Sequence, residues 1–348
     1  MHFFLTWYIL TRMKSRNSVK DAPRISYDPS EVVRFGGIVT RNPRMIACIH
    51  TAEVAARASD ITVLILGENG VGKDMMAEAI HRISPRKQGP YIGINCSALS
   101  ETLLESELFG HEKGAFTSAD RRRKGKFELA NEGTLFLDEI GDMSSAAQAK
   151  ILRAVEHHVF ERIGGEAQVQ SNARIIAATN KNLAELVNLG KFREDLYYRL
   201  NEVCIEVPPL RERKEDIPLF IDEFVKEINS EFGKKIKGVS DVTMKYLMRH
   251  EWPGNVRELK SVIKRGMLVA KGDSLWLEDL SFQVELAVDT VEEAAMRDFS
   301  LKTAERNHIV RVLQISRGIK KQACTLLKIS RSTLDKKLDE YKIDMPKE

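Results

Sequence analysis

An unbroken apolar run, Ile61 to Leu66 (ITVLIL), leads straight into Gly67-Glu68-Asn69-Gly70-Val71-Gly72-Lys73-Asp74, where a helical pattern begins at once. A continuous β-branched run of this kind fits a strand buried on both faces of a parallel sheet. A glycine-rich turn between such a strand and a helix is the setting a phosphate-binding loop requires. The glycines let backbone N–H groups wrap phosphates, the start of the helix adds partial positive charge, and Lys73 reaches the terminal phosphates. Position 74 is Asp, where the general motif carries a Ser or Thr hydroxyl for Mg²⁺.

The rest of the first half repeats the strand–helix alternation. Tyr91–Asn95, Thr134–Leu137, Arg174–Ala178 and Val203–Val207 read as further strands, and helical stretches fall between them. This alternation predicts an α/β, doubly wound parallel sheet. Thr134-Leu-Phe-Leu ends in Asp138-Glu139, two carboxylates at the edge where open α/β sheets bind ligands. Asp138 is placed to hold Mg²⁺ and Glu139 to polarise an attacking water. Asn180 ends the next strand, where a polar side chain can contact phosphate or water.

After Pro208-Pro209 the strand signal stops. The organisation expected is an N-terminal extension (1–34), an α/β part (35–208), an α-helical subdomain (209–272), an acidic linker (273–300) and a three-helix tail (301–348). The chain has 348 residues with a formal charge of only +4, but the charge is unevenly divided. Residues 301–348 carry 12 Lys/Arg and 6 Asp/Glu, a net of +6, whereas residues 1–300 carry 42 and 44, a net of −2. A basic terminal module on a near-neutral body reads as a nucleic-acid-binding tail or, on charge alone, as a solvated basic tail. The four cysteines (Cys48, Cys96, Cys204, Cys324) lack disulfide-scaffold and zinc spacing, as in a protein of the reducing cytoplasm. The apolar start, Met1 to Leu10, is far short of the roughly 20 residues that span a bilayer, so no membrane association is expected.

Together these residues resemble the AAA+ ATPases of the bacterial enhancer-binding type, the sigma-54-dependent transcriptional activators. The motifs GENGVGKD, ESELFGHEKGAFTSA, GTLFLDEI, AATN, FREDLYYRL, PLRERKEDI and WPGNVREL occur in the family's order, ahead of a C-terminal helix-turn-helix. The resemblance implies ATP and Mg²⁺ as cofactors and makes Gly67, Glu68, Asn69, Gly70, Val71, Gly72, Lys73 and Asp74 the nucleotide loop. Acidic residues are usual in the family at the place of Asp74. Arg193 and Arg199 match the arginine fingers that reach a neighbouring subunit's nucleotide, which implies a homo-oligomeric ring, typically a hexamer. Arg257 matches the second sensor. Asn95 matches the residue that pairs with the carboxylate here at Glu139, while Trp252 and Pro253 read as structural.

The resemblance also gives Gly114-Ala115-Phe116-Thr117-Ser118-Ala119 the place of the surface loop that contacts sigma-54 RNA polymerase. Phe116 is expected at an exposed tip, and Ser118 stands where the family has glycine. The following Arg121–Lys124 reads as a promoter-DNA contact or as a solvated flank. In the tail, Ser330 is an N-cap, Ile329 a staple, and Leu326, Leu327, Leu334 and Leu338 fall at core spacing. The tail resembles a Fis-type helix-turn-helix for double-stranded enhancer DNA. Arg331, Ser332 and Thr333 are placed for base or phosphate contacts, and Lys336 and Lys337 for phosphate. Lys328 stands where the family's turn usually has glycine. The histidines, His111 included, have no partner legible in the sequence. The first 34 residues are too few for the family's usual sensor domain, so control by a trans-acting regulatory protein, inhibitory or co-activating, or by expression level is expected. Two functions follow. One is an ATP-hydrolysing activator that remodels the sigma-54 RNA polymerase closed complex. The other is a DNA-binding regulator or repressor that keeps the fold without productive sigma-54 contact.

Overall fold

The computed structural model describes residues 32–116, 119–280, 301–316, 319–341 and 343. Thr117, Ser118, residues 1–31 of the expected extension and 281–300 of the acidic linker lie outside the described residues. The described chain forms two compact units, one running to Phe220 and including His250–Leu259, the other holding Ile221–Arg249 and the residues from Lys260 onward.

Five strands build the central sheet: β1 (Val63–Leu66), β2 (Tyr91–Asn95), β3 (Thr134–Asp138), β4 (Arg174–Thr179) and β5 (Val203–Glu206). Their order is β5-β1-β4-β3-β2 and every pairing is parallel. All five expected strands are present, with ends shifted by a residue or two. Strand side chains alternate between faces, and the two cores show it directly. Leu64, Leu135, Leu137, Ile175 and Ala177 enter one core with α3 (Glu101–Phe109), α4 (Ser145–His157) and α5 (Glu194–Leu200). Val63, Ile65, Phe136, Ile176, Ala178 and Ile205 enter the other with α1 (Pro43–Arg57) and α2 (Lys73–Ile83). Val63, Leu64 and Ile65 are fully buried, so truncating one to Ala costs about 2–5 kcal/mol.

One polar group is buried by design within this apolar packing. Arg174, only 2% exposed, donates from its guanidinium to Ala55 O (2.8 Å) and Ala56 O (3.3 Å), carbonyls near the end of α1. The cation thus answers orphan carbonyls at the negative end of a helix. Burial pushes its pKa down to about 10.

The helical part contains α6 (Ile217–Phe232), α7 (Asp241–Arg249) and α8 (Asn255–Val269). Lys260 and Lys264 of α8 pair with Glu227 and Glu231 of α6 at 2.8 and 2.7 Å. Lys234 donates to the carbonyls of Met267, Leu268 and Ala270, around the end of α8.

The tail holds α9 (Leu301–Ile315), α10 (Lys320–Leu327) and α11 (Arg331–Glu340), packed on Ile309, Val312, Leu313, Ala323, Leu334 and Leu338. Ser330 caps α11 by accepting from Thr333 N (3.1 Å), and Leu327 and Ile329 pack against the core as expected. Leu326 does not: it is 55% exposed, and Ala323 takes the inward place on α10. Lys328, at φ 55° and ψ 37°, occupies the left-handed conformation that favours glycine at a helix C-terminus.

Candidate functional site

The glycine loop lies between the end of β1 and the start of α2, at the carboxyl edge of the sheet. Gly67, Gly70 and Gly72 have φ of 156°, 80° and 101°, where side chains are disfavoured. A Cβ at Gly70 would lie 2.4 Å from Gly254 O, so this glycine also permits a close backbone approach. Lys73, 6% exposed, donates to Gly67 O (2.9 Å) and Glu68 O (3.3 Å), and its ammonium lies 3.5 Å from Glu139 Oε1. Asp74 is exposed in the first turn of α2.

The acidic pair is where the sequence places it. Asp138 ends β3, its Oδ1 accepting from Glu139 N at 3.0 Å. Glu139 itself has φ 52°, a left-handed conformation that is uncommon outside glycine and worth notice at a reactive position. Its Oε2 accepts from the backbone N of Asn180 at 3.3 Å, so the end of β4 holds the carboxylate from the other side. Burial and the neighbouring Glu139 hold the Asp138 carboxyl above the usual carboxylate range, with Lys73 acting against them. A half-buried carboxylate pair facing one ammonium fits a hard cation. Asp138 and Glu139 are oxygen donors of the kind Mg²⁺ takes alongside water and phosphate.

The expected Asn95–Glu139 pair is not formed in this structure. Asn95 lies beside Asp138 in register, but its Oδ1 accepts from Ser97 N (2.9 Å), Ser97 Oγ (2.8 Å) and Ala98 N (3.1 Å). Those three local donors outcompete a partner one strand away. Arg193 is held by Asp195 through Nε (3.0 Å) and Nη2 (2.7 Å). Arg199 donates to Glu202 Oε1 (2.8 Å). Arg257 stands against the phosphate loop: its backbone N donates to Gly70 O at 3.3 Å. Trp252 is fully buried.

The sequence reading missed three residues around the loop. Arg211 donates a two-pronged bond to Glu68 (2.8 and 2.6 Å). Asn255 donates to Glu68 Oε2 (3.1 Å) and Asn69 O (3.0 Å), and Arg213, 1% exposed, donates to Val71 O (2.8 Å). The only signal for them is the charge of PLRERKEDI right after two prolines, and the asparagine between Gly254 and Val256.

The 114–119 loop is tied back at its ends. Gly114 N donates to Ala119 O (2.9 Å) and Ala115 N to Glu112 O (3.2 Å). Phe116 is exposed, as expected (38%), and its ring stands edge-to-face with His111 at 4.9 Å between centroids. His111 therefore does have partners: it is 8% exposed and its Nδ1 lies 2.8 Å from Ser106 Oγ. Arg162 pairs with Glu112 and Glu128 at the base of the loop. Arg122, Arg123 and Lys124 face Glu112, Glu107 and Glu128, as a solvated flank would.

In the tail, Arg331, Ser332 and Lys336 are exposed on α11, and Thr333 is engaged with Ser330 at the cap. Lys337 is committed inward. Its ammonium lies 2.7 Å from Glu305, which also accepts from Tyr341 OH (2.6 Å), so it fastens α11 to α9.

A glycine loop at the carboxyl edge of a 5-1-4-3-2 parallel sheet, with paired carboxylates on the next-but-one strand, defines a P-loop nucleotide-binding domain of the AAA+ class. Residues 38–206 match the sigma-54 interaction domain family, 211–296 the AAA+ ATPase lid domain and 300–341 the bacterial regulatory proteins of the Fis family. The chain is 45% identical to the regulatory protein AtoC of Escherichia coli over 320 residues, 89% of this chain and 69% of that protein. It is 42% identical to the transcriptional regulatory protein ZraR of Salmonella typhimurium over 311 residues, 89% of this chain and 70% of that protein. The crystal structure of NtrX from Brucella abortus in complex with ATP superposes with a TM-score of 0.66 at 32% identity, covering 89% of this chain and 70% of that one. The chain belongs to the sigma-54-dependent transcriptional activators, with a Fis-type helix-turn-helix tail. No helix among the described residues is long and apolar enough to cross a membrane.

Proposed function

We propose that this chain hydrolyses ATP to remodel the sigma-54 RNA polymerase closed complex at promoters served by the enhancer DNA its tail binds. The observation that carries the reading is the convergence of Lys73, Asp138, Glu139 and the Asn180 backbone at one sheet edge. Lys73 neutralises the terminal phosphates, and Asp138 would hold Mg²⁺. When bound, Mg²⁺ supplies charge neutralisation across the phosphate oxygens. Glu139 orients the attacking water and Asn180 keeps Glu139 in place.

Arg193 and Arg199 act on a neighbouring copy's nucleotide in a hexameric ring. Their present partners, Asp195 and Glu202, are exposed or half-exposed carboxylates worth little as ion pairs, so an incoming phosphate can replace them. Arg257 senses nucleotide through the loop it already touches. Asn95 exchanges its local turn for Glu139 during the cycle, and the Phe116 loop is released from His111 to engage sigma-54. Arg331, Ser332, Thr333 and Lys336 contact DNA.

In vitro transcription from a sigma-54 promoter with ATP tests the reading. Wild type forms open complexes, whereas Phe116→Ala and Glu139→Gln do not. Specific DNA binding by wild type without open complexes would overturn it in favour of a DNA-binding regulator that does not drive sigma-54.

A further inference from the structure

Around the phosphate loop every carbonyl from Gly67 to Gly72 has a donor. Gly67 O and Glu68 O accept from Lys73 Nζ (2.9 and 3.3 Å), Asn69 O from Asn255 Nδ2 (3.0 Å), and Gly70 O from Arg257 N (3.3 Å). Val71 O accepts from Arg213 Nη2 (2.8 Å) and Gly72 O from Met76 N (3.1 Å). In a trans peptide the N–H points opposite to the C=O. Asn255, Arg257 and Arg213 thus fix the carbonyls of Asn69, Gly70 and Val71 on the side away from Lys73, which directs the amides of Gly70, Val71 and Gly72 toward the concave face, the kind of nest that binds anions.

Asn255 is the joint of this arrangement. It is fully buried, with φ 53°, and serves three segments at once. Its Nδ2 donates to Asn69 O and to Glu68 Oε2, while its Oδ1 accepts from Leu210 N at 2.8 Å. Arg211, next to Leu210, closes the ring by gripping the same Glu68 carboxylate. We propose that Asn255 is a positioning residue for nucleotide binding, setting the direction of the loop amides through Glu68 and Asn69 rather than acting on the nucleotide. This rests on the reading that the loop holds the phosphates of ATP.

The test compares wild type, Asn255→Gly, Asn255→Asp, the Asn255→Asp/Glu68→Gln pair and Lys73→Ala. Affinity for a fluorescent ATP analogue with Mg²⁺, steady-state ATPase kinetics and the unfolding midpoint without nucleotide are measured. Glycine accepts φ 53° and removes only the side chain, so affinity falls about tenfold, the size of one lost bond to a charged group. KM rises accordingly while kcat stays within about threefold, a split that a general loss of stability does not produce. Asn255→Asp is worse, since it sets a carboxylate against Glu68, and Glu68→Gln restores part of the loss by supplying a donor. Should Asn255→Gly not fold, Glu68→Ala carries the test, because its pair with Arg211 is surface-accessible; about a threefold loss of affinity is expected. Unchanged affinity in these variants, with binding lost in Lys73→Ala, overturns the role of Asn255 alone. Equal binding by wild type and Lys73→Ala overturns the nucleotide reading and this proposal with it.

Discussion

Gly70 and Gly72, two positions apart in the phosphate loop, offer a matched pair of substitutions. A Cβ added at Gly70 meets Gly254 O at 2.4 Å, Arg257 Cβ at 3.1 Å and Gly254 C at 3.3 Å, whereas one added at Gly72 meets nothing within 4 Å. Both glycines have positive φ, 80° and 101°, so each alanine carries a left-handed penalty of about 1–2 kcal/mol. Gly70→Ala adds overpacking against backbone that cannot swing aside, about 1–3 kcal/mol more. Each substitution regains about 0.5–1 kcal/mol from the stiffer unfolded chain, and that gain cancels in the comparison. In a domain of this size 1 kcal/mol moves the melting midpoint by roughly 2–4 °C. Without nucleotide, and at the middle of these ranges, Gly70→Ala should therefore melt about 6–11 °C below wild type and Gly72→Ala about 2–3 °C below. Nucleotide affinity should rank the other way per degree lost, because the Gly72 methyl enters open space where phosphates would lie. Differential scanning fluorimetry and a fluorescent-nucleotide titration read the two quantities. Equal melting shifts would show that the seam between the loop and residues 254–257 does not constrain the site, and the reasoning would fall.

Three further outcomes are expected. Lys336→Ala should lower the salt dependence of DNA binding by about one phosphate contact, while Lys337→Ala should leave that slope unchanged and loosen the tail, because its charge is spent on Glu305. Lys328→Gly should raise hydrogen-exchange protection of residues 331–340 about two- to fivefold, since glycine relieves the left-handed strain at φ 55° by about 0.5–1 kcal/mol; no change would refute the cap argument. His81 is 5% exposed, with Nδ1 2.9 Å from Thr134 Oγ1, and burial followed by Arg174 depresses its pKa. The unfolded chain binds the proton more readily, so stability is full above about pH 6.5 and declines as pH falls toward the folded value. His81→Gln should flatten that part of the midpoint-versus-pH curve.

The sheet was legible because its three central strands, β1, β4 and β3, are buried on both faces and so read as nearly continuous apolar runs, a signal that needs no knowledge of the neighbours. The glycine loop and Asp138-Glu139 were legible for a related reason: their chemistry follows from strand ends alone. What was hidden depended on distance. Asn255 touches Glu68 across 187 positions and Arg213 reaches Val71 across 142, and neither residue has a local pattern that announces a partner. The Phe116–His111 contact was hidden differently, since a ring in a turn can point outward or back and only the folded turn decides. Leu326 was misplaced because an eight-residue helix is too short for its periodicity to choose between neighbouring leucines.

The strand that carries the glycine loop has Val63 and Ile65 in one core and Leu64 in the other, all three fully buried. It is clamped from both sides at close-packed density, and close-packed matter is hard to compress. The other wall of the loop is made of short helical turns around residues 210–216 and the start of α8, and its Arg211–Glu68 clasp is 37% and 42% exposed. Stiffness is therefore divided unequally around the site. The inner wall acts as an anvil, and the compliance of the opposite wall is left to the exposed Arg211–Glu68 clasp, since Arg213, Trp252 and Asn255 beside it are buried.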